Sequence, residues 1–249
     1  MLITGGASGL GSATVVMLLQ KGASVTVADL QEDKLADLEK KHGASSRLLC
    51  VPCDVTQEEQ VKNTVTRCIE RFGRIDVAIA SAGIAIPKPL LYKNKPMNLN
   101  IFKKTLQVNL YGTVNMAKHA AVAMSKQTAK DSGERGVIIF TSSIQASEAP
   151  AGGVSYGASK GAINGLTLPM ARDLGRYGIR VTTIAPGPFL TPMTKPLGEA
   201  GVKAGEMATP LGRLGQADEY AHLACTVIEN GYLNGVILKL DGGAKVGSM

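Results

Sequence analysis

One short stretch restricts this chain more than any other. Met1-Leu2-Ile3 reads as an apolar strand, Thr4-Gly5-Gly6-Ala7-Ser8-Gly9-Leu10-Gly11 as a turn, and Ser12 to Leu19 as a helix. A strand that enters a helix through glycines opens a βαβ unit able to hold a dinucleotide. Gly5 permits the tight turn, Gly9 lets backbone approach a pyrophosphate, and Gly11 lets the helix pack close to the sheet. The anion would rest on the helix N-terminus, where free N–H groups and the dipole favour negative charge. A second strand, Ser24 to Ala28, leads into Asp29, eighteen residues after Gly11. A carboxylate at that distance accepts hydrogen bonds from ribose hydroxyls and repels a 2′-phosphate. Leu30, Gln31, Ala7 and Ser8 are uncharged. The pattern therefore predicts NAD rather than NADP. The first strand is brief, and part of it is expected to precede Met1.

The pattern then alternates. Helices are predicted over 31–42, 57–72, 99–127, 154–177 and 216–230, and strands over 47–53, 76–81, 136–141, 179–185 and 235–240. Alternating β and α elements predict an α/β, Rossmann-like doubly wound parallel sheet with helices on both faces. No linker or repeat interrupts it, so 1–249 reads as one domain. Pro169 lies within a predicted helix and should bend it.

Ligands of such sheets bind beyond the carboxyl ends of the strands. Those ends carry Gly5–Gly11, Asp29, Asp54-Val55, Ala82-Gly83, Ser143 and Pro186-Gly187. Asp54 could accept from an adenine amino group or cap the next helix; the sequence allows both. Tyr156 and Lys160 are four apart, on one helix face. Ser143 precedes Tyr156 by thirteen residues, across a loop rich in Gly, Pro and Ala. A phenol ionises near pH ~10, and a nearby cation lowers that value. A Tyr–Lys pair alone is a weak signal, since most such pairs face solvent. Its place in this strand order is what makes it a proton-transfer candidate.

Composition closes off other classes. The chain is 45% hydrophobic and 19% charged, which fits a globular domain and not a disordered one. No apolar run is long enough to span a bilayer. Cys50 and Cys53 form a lone CxxC with no second ligand pair, so zinc is not expected; they read as buried strand thiols. His42, His119 and His222 show no metal spacing. Net charge is +7, and Val77 to Lys130 holds eight Lys and no acid. Such a field attracts anions: a solvated surface, a phosphate-bearing substrate and a nucleic acid all remain open. Aromatic content is 4% with no Trp, and no nucleic-acid-binding motif is visible.

Taken together, Thr4-Gly5-x-x-x-Gly9-x-Gly11, Asp54-Val55, Ala82-Gly83, Asn109, Ser143, Tyr156-x-x-x-Lys160 and Pro186-Gly187 resemble the short-chain dehydrogenase/reductase family over nearly the whole chain. The resemblance implies a catalytic tetrad of Asn109, Ser143, Tyr156 and Lys160. It implies cofactor contacts at Gly5, Ser8, Gly9 and Leu10, at Asp29, Asp54 and Val55, and at Ala82 and Gly83. Tyr156, Lys160, Pro186 and Thr191 complete that set, with Thr191 on the nicotinamide carboxamide. In one place the chain departs from the family: Ala80-Ser81-Ala82-Gly83 stands where Asn-Asn-Ala-Gly is frequent.

The segment after Gly83, the run from Leu166 to Phe189, and the stretch from Arg213 to Gly243 resemble one branch of that family. That branch is NAD-linked, tetrameric and mitochondrial in animals; it oxidises the 3-hydroxyl of acyl-CoA thioesters and, less strictly, hydroxysteroids. A cytoplasmic location is the alternative. The resemblance makes Tyr156 the proton acceptor, Ser143 the holder of the substrate oxygen, and Lys160 the group that lowers the phenol's pKa. Asn109 would link Lys160 to solvent through a water. In the acid-free Lys run, Lys93, Lys95 or Lys103 could attract CoA phosphates or stand on a solvated surface, and the Pro-, Gly- and Ala-rich Leu190 to Gly205 fits a substrate lid or an ordinary surface loop. An NADPH-linked 3-oxoacyl-carrier-protein reductase and an RNA-binding or scaffold protein with secondary catalysis are the competing expectations.

Overall fold

The computed structural model describes residues 1–42, 46–195 and 198–245. In chain order the elements are β1 (Leu2–Thr4), α1 (Gly9–Gln20), β2 (Val25–Asp29), α2 (Glu32–His42), β3 (Leu48–Pro52), α3 (Glu58–Phe72) and β4 (Val77–Ala80). A small antiparallel hairpin follows, β5 (Leu91–Tyr92) and β6 (Lys95–Pro96). Then come α4 (Leu99–Leu106), a π-helical turn (Gln107–Tyr111), α5 (Gly112–Ser125), β7 (Gly136–Thr141), α6 (Val154–Gly175), β8 (Ile179–Pro186), α7 (Gly198–Ala208), α8 (Ala217–Glu229) and β9 (Ile237–Leu240).

Seven strands form one parallel sheet in the order β3-β2-β1-β4-β7-β8-β9. The strand order reverses between β1 and β4, so a crevice opens between their carboxyl ends. Strands β1, β2, β4, β7 and β8 are buried along their whole length. That is why they read as apolar runs and not as alternating ones. Two cores lie on opposite faces. One joins Val15 and Leu18 of α1 to Tyr220 and Val227 of α8; the other joins Met116 of α5 to Ile163 and Ala171 of α6.

The structure corrects the expected elements in three places. The helix expected over 99–127 is interrupted at Gln107–Tyr111 by the π turn and ends at Ser125. The stretch expected as a lid over Leu190–Gly205 contains the start of helix α7, none of whose residues is buried; residues 196 and 197 of it lie outside the described residues. Finally, the segment after Gly83 carries the β5–β6 hairpin, with Lys93 and Asn94 at positive φ in its turn. Helix α6 runs through Pro169 without ending.

Candidate active site

The glycine turn is built by close packing. Gly5 has φ of 67°, and a Cβ there would stand 2.5 Å from the Ala82 backbone nitrogen. Its amide donates to the Ala28 carbonyl at 2.8 Å, while Ser81 N donates to the Thr4 carbonyl at 3.0 Å. Backbone bonds thus support the central strands where the frequent Asn-Asn pair is replaced. At Gly11 a Cβ would collide with the Gly5 carbonyl. The close approach expected of Gly11 is therefore against the glycine loop itself.

Above this turn lies a cavity of about 770 Å³. Of the expected cofactor contacts, all line it: Gly5, Ser8, Gly9, Leu10, Asp29, Asp54, Val55, Ala82, Gly83, Tyr156, Lys160, Pro186 and Thr191. Ser8 stands at the N-cap of α1 with no side-chain capping bond. The first turn of a twelve-residue helix therefore opens on the cavity with no side chain across it, a good seat for an anion. Asp29 accepts from Ala7 N at 3.0 Å through one oxygen and from Gln31 N at 3.1 Å through the other. Each oxygen keeps lone-pair capacity for a hydroxyl. Gly9 faces Thr191 across the cavity mouth, with 3.7 Å left for a Cβ. These features fit a dinucleotide with a diphosphate at one point and a ribose at another. Asp54 serves its own turn as well: its carboxylate accepts from Thr56 N at 2.9 Å, and its N–H donates to Gln60.

Asn109, Ser143, Tyr156 and Lys160 come together beside the crevice, from three separate segments. Ser143 lies just past β7 and caps a short 3₁₀ turn: its Oγ accepts from Gln145 N at 3.1 Å. That contact occupies a lone pair and leaves the hydroxyl proton free to donate. The Ser143 hydroxyl lies beside Tyr156 and favours its ionised form. Lys160 is buried, and its Nζ donates to the Thr141 carbonyl at 2.7 Å. Ser142 holds the Lys160 carbonyl in turn, at 3.1 Å.

Two electrostatic details differ from expectation. Lys160 Nζ lies over the Tyr156 ring, 5.5 Å from its centroid. Burial pushes the Tyr156 phenol above its ordinary value; only the Ser143 hydroxyl pulls it back. The expected lowering by Lys160 is therefore not seen in the chain alone. Burial lowers the ammonium itself to about 8, so it stays mostly protonated at neutral pH and loses its charge above it.

The Asn109 side chain has direct partners of its own, beside the water-mediated link to Lys160 expected of it. It clamps the loop after β4, accepting from Ile84 N at 2.8 Å and donating to Ile84 O at 3.0 Å. Its remaining amide hydrogen goes to Ser159 Oγ at 3.0 Å, and Ser159 donates to the Tyr156 carbonyl at 2.7 Å. No direct bond to Lys160 forms; both flank Gly83, at whose Cβ position Asn109 Oδ1 would be 3.3 Å and Lys160 Nζ 3.7 Å away. The π turn places Asn109 inward.

The Lys-rich run divides. Lys104 lines the cavity; Lys93, Lys95 and Lys103 do not. Lys118 pairs with Glu58 and Lys130 with Glu134. The choice of Lys104 over Lys103 depends on helix phase, which the sequence did not resolve. Ile84, Ile86, Val108, Phe189, Met193 and Leu214 give the remaining wall an apolar surface, and Cys53 lies at its edge. All four cysteines are free and buried, and burial pushes Cys50 up to about 12. His119 faces Glu58 at 3.3 Å, away from the cavity lining. No helix among the described residues is long and apolar enough to cross a membrane.

A parallel sheet with a glycine cradle, an acid at the end of β2, and a Ser–Tyr–Lys group at the switch point defines a nicotinamide-linked oxidoreductase of the short-chain type. The chain belongs to the short-chain dehydrogenase family, whose model matches residues 1–201, and it is an oxidoreductase acting on a CH–OH group. Among its relatives is the 3-hydroxyacyl-CoA dehydrogenase type-2 of Bos taurus, 44% identical over 98% of this chain and 94% of that protein. The 3-oxoacyl-[acyl-carrier-protein] reductase FabG of Thermotoga maritima is 33% identical over 97% of this chain and 96% of its own length. A crystal structure of 3-hydroxyacyl-CoA dehydrogenase type-2 from Mycobacterium avium covers 100% of this chain and 96% of its own, at 33% identity and a TM-score of 0.93.

Proposed function

We propose that the chain carries out NAD-dependent oxidation of the 3-hydroxyl of a 3-hydroxyacyl-CoA to the 3-oxoacyl-CoA, with hydroxysteroids as secondary substrates. The observation that carries this reading is the shared cavity: Asp29 stands in its wall as a ribose acceptor, and Ser143, Tyr156 and Lys160 stand in the same wall as a proton-transfer group. Relatives named for that activity, 40% to 44% identical over almost the full length, support the substrate class.

A bound nicotinamide would supply the hydride acceptor. The chain's own residues manage the proton and the oxygen. Ser143 donates its free proton to the substrate oxygen and holds it as carbonyl character develops. Tyr156 takes the hydroxyl proton as a general base. Lys160, protonated, would bind the nicotinamide ribose and favour the phenolate in the loaded site, a lowering that the chain alone does not show. Asn109 keeps the loop bearing Gly83 and Ile84 in place and, through Ser159, the backbone of Tyr156. The apolar wall takes an acyl chain, and Lys104 meets an anionic group on the substrate.

NADH formation across a panel of 3-hydroxyacyl-CoAs and hydroxysteroids, with NAD and NADP compared, tests the proposal. Turnover of acyl-CoA substrates with a much lower KM for NAD is expected; a preference for NADP overturns it. The runner-up is an NADPH-dependent 3-oxoacyl-carrier-protein reductase, favoured by the FabG likeness. The uncharged Leu30 and Gln31 beside Asp29 argue against a 2′-phosphate there. A homotetramer in the mitochondrion completes the reading. Tyr232, Val236 and Ile237, exposed beside the edge strand β9, fit a subunit contact, and light scattering reads the mass directly.

A further inference from the structure

Tyr220 is the largest fully buried side chain of the protein and belongs to α8, on the sheet face opposite Lys160. Its hydroxyl shares a 2.7 Å hydrogen bond with Thr141 Oγ1, at the last residue of β7. The carbonyl of that same Thr141 accepts from Lys160 Nζ at 2.7 Å. This is the one bond the ammonium makes among the described residues. Thr141 is thus a strut across the sheet: its side chain is held from one face, and its carbonyl holds the lysine arriving from the other. The tyrosine is well placed to serve as an anchor. Helix α8 starts with a capping box between Gln216 and Glu219, and Arg213 forks onto the Glu219 carboxylate at 2.7 and 2.8 Å. A helix start held in this way has little freedom to fray.

We infer that Tyr220 is a positioning residue for the active site, acting through Thr141 to fix the place and protonation of the Lys160 ammonium. The inference rests on the proposed role of Lys160 in proton transfer. Facing the ammonium are Tyr156 from its own helix, Thr141 from β7, and Gly83 with Asn109 behind it. Of these only Tyr156 titrates. The Thr141–Ser142 peptide is also held by Ser142 N on the Ile184 carbonyl at 2.8 Å, so loss of the hydroxyl bond moves the Thr141 carbonyl only slightly; a buried ammonium with this one bond is sensitive to small shifts of its acceptor. Tyr220→Phe removes one oxygen and leaves the ring in place.

Lysine Cε chemical shifts, followed against pH in the cofactor-free chain, read the Lys160 midpoint without any substrate. The midpoint should fall by about half a pH unit in Tyr220→Phe, in the direction burial already drives it. Thr141→Val should produce the same fall, and the double variant no more than either single one, since both remove one bond. In the loaded enzyme kcat should drop roughly three- to tenfold with KM little changed, as expected for a misplaced group. Val227→Ala, in the same buried helix face, serves as the control: it should lower Tm and leave the midpoint unmoved. An unshifted midpoint in both Tyr220→Phe and Thr141→Val overturns the inference, as do additive shifts in the double variant. If Tyr220→Phe does not fold, Thr141→Val alone decides. Absence of acyl-CoA turnover would sink the proposed function and leave this titration intact.

Discussion

Two regions border the cavity, and they are built on opposite principles. The floor comprises the glycine turn, the end of β7 and the start of α6. There backbone meets backbone at distances that exclude a Cβ, and polar side chains are held by bonds at 2.7 to 3.1 Å. The cover comprises Lys104 and helix α7, with the β5–β6 hairpin outside the cavity wall. In α7 no residue is buried, and Leu90, Leu91, Tyr92 and Met207 are exposed. A group that must sit within a fraction of an ångström of a reacting atom needs the first kind of structure. A wall that must accept different acyl groups can use the second. Changes in the floor should therefore act on rate and fold, and changes in the cover on KM alone.

The sharpest way to break this contrast is Tyr156→Phe. Loss of the general base should lower kcat by about 10²–10⁴ with Tm and NAD binding nearly unchanged; wild-type rates would refute the assignment. Gly11→Ala comes next. Its methyl group collides with the Gly5 carbonyl, so the loop must shift, at a cost of roughly 1–3 kcal/mol, read as a fall in urea midpoint together with weaker NAD binding. In the cover, Lys104→Glu should raise KM for a CoA thioester several-fold, leaving kcat and the KM for a steroid in place. Equal effects on both substrates would mean that Lys104 does not meet the CoA moiety.

A smaller effect tests the electrostatics of the floor. The ammonium of Lys160 falls from 10.5 to about 8 on burial, so in that interval the unfolded chain binds more protons than the folded one. Stability from this group then rises with pH. Tyr156 is raised from 10.0 and works in the opposite direction above that value. Between about pH 8 and 10 the Tm of the native chain should climb by a few degrees relative to Lys160→Met. A constant difference would show that burial does not depress the lysine. Smallest of all, Met207→Ser on the cover should change stability by less than about 0.5 kcal/mol, since its side chain is 80% exposed. A larger loss would mean that α7 is held by contacts as firm as those of the floor.

Much of this could be read from residue order. Glycine has no side chain wherever it sits, so Gly5 and Gly11 announced a crowded turn before any distance was known. Asp29 ends a strand, and strand ends converge in any parallel sheet. Tyr156 and Lys160 share a helix face by spacing alone. Where the reading fell short, long-range packing was the cause. The π turn adds one residue to a helical repeat that otherwise looks regular, and with it the phase that brings Lys104, and not Lys103, to the cavity. The bonds of Asn109 reach Ile84 and Ser159, 25 and 50 residues away in the chain.

The local chemistry of this protein was settled by its residues in order: which backbone positions tolerate a close approach, which strand ends carry an acid or a hydroxyl, which pair of side chains lies one helical turn apart. Those depend on neighbours a few bonds distant. Protonation and orientation were settled only in three dimensions. A phenol near a lysine in the chain was expected to acidify, yet burial lifted it, because desolvation depends on everything packed around a group and not on what precedes it. For the same reason Tyr220, an ordinary core residue by pattern, meets the anchor of Lys160 only once the sheet has brought α6 and α8 to opposite sides of a single strand end.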